Sequence, residues 1–237
     1  MLKSMLHSKL FMRCAILFPV CAAVALSAAG EKKGSLFASD KGKFDILLDG
    51  KSLGREEFSI ESSGADWVAK GSTSLQTPDG KAAKVTGNLS LHSDGIPISY
   101  EWSSQTDKSN SASVVFVNGV AKTTLQVQGA HPFQQENTFT SPLVVVLDNN
   151  LYHQYEILAH VYDWSKGGIQ TFSVLIPQEL TPGTITAEAA GKVTADGKNY
   201  ELLKVISTDL EIHLFLDPNH KLMRLEVPSS KVVVVRE

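Results

Sequence analysis

Beyond position 21 the chain contains no cysteine: its two, Cys14 and Cys21, both fall in the opening stretch. Residues 22–237 can therefore form no disulfide, offer no thiolate nucleophile and build no cysteine-ligated metal centre. Nor do they carry an apolar run approaching the ~20 residues that cross a bilayer. An excess of basic charge is also missing, since 22 Lys and Arg stand against 25 Asp and Glu for a net charge of −3. Lys3, Lys9 and Arg13 belong to the opening stretch, so the remainder is more acidic still. That balance argues against a nucleic-acid partner, which requires a basic face, and against a polybasic membrane anchor.

The opening stretch reads as a signal peptide, residues 1–29. A basic start is followed by an apolar run over 14–29, interrupted by Pro19 and ending in the small residues Ser27 and Ala29. Such a leader predicts a periplasmic or secreted protein, with Gly30 as its new N-terminus. Residues 30–42 are polar and glycine-containing, which predicts a flexible lead-in to a single β-rich domain over 43–237.

Five turn pairs punctuate the chain: Asp49-Gly50, Asp79-Gly80, Asp94-Gly95, Asn118-Gly119 and Asp196-Gly197. The tightest β-hairpins need positive φ at both central positions, which Asn, Asp and Gly tolerate best. Between the turns, apolar and polar residues alternate. Ile96, Ile98, Tyr100 and Trp102 are expected on one face, with Pro97, Ser99 and Glu101 on the other. Val85, Leu89 and Leu91 repeat the pattern one strand earlier, with Gly87 at the remaining inward place. The expectation is mainly β with one helix: a long antiparallel meander of about 12–13 strands, strongly curved or forming an incomplete barrel.

One segment departs from period two. Leu147, Leu151, Tyr155, Leu158 and Tyr162 recur at helical spacing, between Ser141-Pro142 and Lys166-Gly167-Gly168. They predict a helix of about 143–162 across the concave face. Asn149 and Asn150 are mediocre helix formers, leaving open a later start near Asp148 with 143–147 extended. His131, Pro132, Phe133 and Phe139 read as an irregular flap.

Chemistry-bearing patterns are sparse. His153, Glu156, His160 and Asp163 fall on one stripe of the expected helix, so His153, His160 and Asp163 are candidate metal ligands. The stripe lacks HExxH spacing and also fits the solvated side of an amphipathic helix. Gly34-Ser35 and Gly71-Ser72 lack the flanks of a nucleophile elbow. Glu56 and Glu57 are adjacent on a strand, point to opposite faces and cannot act as a carboxylate pair. No catalytic residue, cofactor or resident metal is assigned.

The segment 44–60 (FDILLDGKSLGREEFSI) carries a strand, a glycine turn and a G-x-E-x-F strand, Gly54, Glu56 and Phe58. With the helix after Ser141-Pro142-Leu143 and the ending Phe215-Leu216-Asp217 and Leu222-Met223-Arg224-Leu225, it resembles a group of exported bacterial β-rich domains of unknown function. Similar modules occur alone or ahead of exported hydrolases. Their architecture is similar to the periplasmic lipoprotein-carrier fold, and the resemblance implies a non-enzymatic role in binding a hydrophobic or amphipathic small molecule. Ile98, Tyr100, Trp102, Leu151, Tyr155, Leu158 and Tyr162 are the residues expected to face such a ligand between sheet and helix. Two other readings stand beside it: an interaction or scaffold module of the envelope, and a metal-dependent hydrolase.

Overall fold

Asp49-Gly50, Asn118-Gly119 and Asp196-Gly197 all place both residues at positive φ, near 50° then 73–78°. Each closes a tight antiparallel hairpin, as the turn chemistry requires. The computed structural model describes residues 34–76, 80–106 and 108–237. The expected signal peptide, 1–29, lies outside them, as does Asp79.

Gly34–Glu237 form a single unit. Its strands are β1 Asp40–Leu48, β2 Lys51–Ser63, β3 Asp66–Gln76, β4 Ala82–Leu91 and β5 Pro97–Gln105. They continue as β6 Ser109–Val117, β7 Val120–Val127, β8 Phe133–Thr138, β9 Val144–Val146 and β10 Ile169–Ile176. The last five are β11 Thr181–Ala195, β12 Lys198–Ile206, β13 Glu211–Leu216, β14 Leu222–Val227 and β15 Val232–Arg236. All fifteen belong to one sheet, running from β8 back to β1, then from β15 back to β9. The first and last strands therefore meet mid-sheet, Phe44 opposite Arg236 and Leu48 opposite Val232.

The free edges are β8 and β9, which are consecutive in sequence, so the sheet is barrel-like without closing. Gln135 on β8 reaches over this seam, its Nε2 donating to the Leu180 carbonyl at 3.0 Å.

Every pairing is antiparallel except β9 with β10. Parallel neighbours need a crossover, and it is here that the helix α1, His153–Val161, is spent. The helix is shorter than the expected 143–162. Val144–Val146 are wholly buried and belong to β9, and Asn150 takes φ 67° at the turn beyond it. Three consecutive β-branched residues lose side-chain freedom in a helix, and burial on both faces suits them to a strand even at this edge of the sheet. The later-start alternative, with an extended lead-in, matches the structure more closely.

Two further differences concern 131–139 and β5. The expected flap contains edge strand β8, whose FQQENT sequence gives no apolar alternation because a sheet edge tolerates polar residues on both faces. On β5 the register shifts opposite Ser90 and Leu91, so Pro97 turns inward and is buried while Ile98 is only half-buried. A bulge of this kind reverses the facing of residues on one side of it.

Helix α1 lies inside the curled sheet rather than on its surface. His153, Gln154, Glu156, Ile157, Leu158 and Ala159 are all buried. Half of the expected solvated stripe, His153 and Glu156, thus belongs to the core, and those polar groups have to be satisfied by the sheet, while His160 is half-buried and Asp163 exposed.

Candidate functional site: a cavity beside the buried helix

The entry to α1 is built by strands far away in sequence. Tyr152, the N-cap, offers no side-chain cap of its own. Glu56 on β2 takes that role: its Oε2 accepts the backbone N–H of Tyr152 at 2.8 Å and of His153 at 3.3 Å. Its Oε1 lies 2.6 Å from His153 Nδ1, which takes the donor role toward a carboxylate. Both side chains have no exposure. A carboxylate at a helix N-terminus meets unpaired N–H donors and the positive end of the dipole, so the buried charge is compensated.

Room for this contact comes from two glycines. Gly71 on β3 and Gly87 on β4 are direct cross-strand partners. A Cβ at Gly71 would sit 2.4 Å from His153 Cε1, and one at Gly87 would sit 2.6 Å from Leu151 Cδ1. The paired glycines form a notch that seats the start of the helix. Thr73 donates to the Asn150 carbonyl, and Gln154 donates to the Tyr100 hydroxyl at 3.2 Å while accepting from the Asp148 N–H at 2.6 Å.

Farther along the helix, a second buried carboxylate meets the sheet where its halves join. Glu156 Oε2 accepts the Leu222 N–H at 2.9 Å and lies 3.6 Å from the Arg236 guanidinium. Arg236 grips Asp40 with both terminal nitrogens at 2.8 Å, and Lys221 adds a third bond at 3.0 Å. Burial pushes the Glu156 carboxyl well above the carboxylate range, and nearby Asp40 adds to the rise. Burial would raise Asp40 too, yet the bonds from Arg236 and Lys221 hold it well below that range. The pair divides its charge, with Asp40 ionised and Glu156 retaining the proton.

Beside the N-terminal turn of α1 opens a cavity of about 290 Å³. Its floor is the inner face of β10–β15, with Val174, Ile185, Val205, Ile212 and Leu225 all buried. Its wall is the 147–150 segment with Tyr152 and Tyr155 of the helix entry. Two matching turns border it. Pro177–Glu179 and Pro228–Ser230 are each one 3-10 turn ended by a left-handed residue, Leu180 and Lys231. Proline starts both because it cannot continue the ladder and its φ is already set. Asp148, at 4% exposure, also lines the cavity. Burial raises its carboxyl to about 6, against the opposing pull of the Tyr100 hydroxyl and the Gln178 N–H. Burial likewise raises Tyr152 and pushes Tyr155 up to about 12, so both phenols are neutral. Neither hydroxyl has a hydrogen-bond partner among the described residues.

Of the residues expected to face a ligand, Tyr155 lines this cavity. Tyr100, Leu151, Leu158 and Tyr162 are core, at most 2% exposed, and Trp102 lines a separate groove with Gly71, Gly87 and Ala112. Ile98 occupies a shallow groove with Phe116 and Val117 instead. The cavity-lining residues of β10–β15 are legible as alternating strands, but their meeting with the helix entry depends on the sheet's curl.

The three metal candidates diverge. His153 turns to Glu56, and Asp163 is exposed and caps its own turn through Ser165 and Lys166. His160 sits edge-on to Phe37 at 5.8 Å, where burial, with His220 adding to it, lowers its pKa to about 4. Among the described residues no three His, Cys, Asp or Glu side chains form a metal-binding group. The sequence also spells G-x-S-x-G at Gly50-Lys51-Ser52-Leu53-Gly54, a match that the strand pattern conceals. Ser52 stands exposed at the start of β2 in a strand–turn–strand context, and among the described residues no histidine lines the groove beside it. A nucleophile elbow requires strand, turn and helix with a base in reach.

No protein-family model matches the chain, and no curated protein does. Among solved structures, a beta-barrel-like protein of the domain of unknown function DUF1849 from Brucella abortus aligns with a TM-score of 0.55 at 11% identity, covering 84% of this chain and 94% of that one. A DUF1089 family protein from Pseudomonas aeruginosa aligns at 0.45 and 9% identity, covering 74% of this chain and 90% of that one. The first similarity shows a shared barrel-like fold, and neither neighbour's description assigns an activity.

Proposed function

We propose that this chain is a non-enzymatic binding protein that holds a hydrophobic or amphipathic small molecule beside the entry of its buried helix. The observation that carries this reading is the cavity of about 290 Å³, floored by buried aliphatic side chains and edged by a few polar groups, among them Asp148, Tyr152 and Tyr155. Concave, mostly apolar sites with a small number of convergent polar groups are where proteins bind small molecules. The non-enzymatic part is supported by what the titratable groups are doing. Glu56 and His153 are fully buried in a helix cap, and Asp40 and Glu156 in a strand clamp, so neither pair lines the cavity. We also take the protein to act after export, on the strength of the leader-like sequence of 1–29.

Titration with 1-octanol, monitored by methyl NMR, tests the reading. Val174, Ile185, Val205 and Leu225 signals should shift together and saturate. The Val205→Phe variant, confirmed as folded by its thermal transition, should lose the response. Absence of saturable shifts in the parent protein would overturn the proposal.

A further inference from the structure

The cavity's size and charge narrow the ligand class further. A methylene takes up about as much space as a water molecule, roughly 30 Å³, so the cavity has room for about ten carbons. It lies near the lower limit of small-molecule sites, at ~300 Å³. One chain of that length fills the space and leaves none for a second of equal length.

Charge selects the head. Among the described residues no lysine or arginine lines the cavity. The positive end of α1, which points toward this region, is already occupied by Glu56 through both the Tyr152 and His153 N–H groups. The nearest basic side chain on the bordering turns, Lys231, is engaged by Asp49 at 3.1 Å. The one ionisable acid in the lining is Asp148, which would repel an anion once ionised. Against this, Tyr152 and Tyr155 offer neutral hydroxyls, without partners among the described residues, suited to an ester, ether or hydroxyl oxygen.

We infer that the cavity selects a single alkyl or acyl chain of about ten carbons with an uncharged oxygen-bearing head, over free carboxylates and two-chain lipids. The inference rests on the proposed binding function and specifies its ligand class.

Calorimetric titration of the purified protein with 1-monoacylglycerols of six to sixteen acyl carbons, below micellar concentrations, provides the test. Matched fatty carboxylates are titrated in parallel at pH 8. Affinity should climb roughly three- to four-fold per added methylene and stop climbing near ten carbons. Each carboxylate should bind at least about tenfold more weakly than its neutral counterpart, the scale of a like charge held a few ångströms away. Asp148→Asn should narrow that gap. Equal or tighter carboxylate binding, or affinity still rising at sixteen carbons, overturns the ligand class while leaving a binding protein. No binding by any member of either series overturns the binding reading as well.

Discussion

His153 Nδ1 and Glu56 Oε1 lie 2.6 Å apart with no exposure on either side chain, across 97 residues of sequence. Together with the two backbone N–H groups that Glu56 accepts, this contact fixes where the helix enters the sheet. Each buried donor left without its acceptor costs about 1–3 kcal/mol, so losing the three that Glu56 accepts costs at least about 3 kcal/mol. Glu56→Ala should therefore lower unfolding stability in urea by roughly that amount. Glu56→Gln, which can still accept from the backbone, should lose clearly less. Equal losses in the two variants would show that the cap is not what holds the helix.

The glycine notch makes a second claim. Gly71 does not need an unusual backbone, so Gly71→Ala tests space alone: its Cβ would collide with His153 and with Glu56 Oε1, 2.7 Å away. Overpacking of this kind costs about 1–3 kcal/mol. Gly34→Ala, where nothing lies within 4 Å, is the control and should be neutral. Thermal denaturation of both variants checks this, and an unchanged midpoint for Gly71→Ala would show that the notch does not seat the helix.

Asp148 gives the fold a pH dependence of definite sign. Its carboxyl rises from 3.8 to about 6 on folding, so between those values the native state binds the proton more tightly than the unfolded chain. The Asp148 contribution therefore weakens stability as pH rises from about 4 to about 6, and the cost is complete above 6. A shift of that size corresponds to roughly 2–3 kcal/mol. Asp148→Asn should flatten this segment of the stability–pH curve and gain stability at pH 7 relative to the parent. Parallel curves for the two proteins from pH 4 to 7 would contradict the assignment.

Much of the architecture is legible in the chain because turns and strand alternation are local signals. Asp49-Gly50 and Asn118-Gly119 dictate their own hairpins, and Val85, Leu89 and Leu91 announce a buried face wherever the sheet goes. The helix differs from expectation in both length and setting for a different reason. Val144–Val146 look apolar in any conformation, and only the presence of β10 alongside makes them a strand. His153 and Glu156 resemble the wet side of a helix until Glu56, Leu222 and Arg236 arrive from strands 66 to 97 residues away. Gly71 and Gly87 carry the one hint, as side-chain-free positions on the inward face of neighbouring strands. The cavity leaves no local trace, since its walls come from six strands and the helix entry.

Whether the cavity is built to be filled can be read from the mass of the native protein isolated from its own cells without organic solvent. Native mass spectrometry should show the parent chain carrying a single small apolar adduct, released on unfolding, and Val205→Phe arriving bare. A parent protein that is free of any adduct when prepared this way, and that also binds none of the short-chain neutral lipids offered to it, would contradict a ligand-holding role.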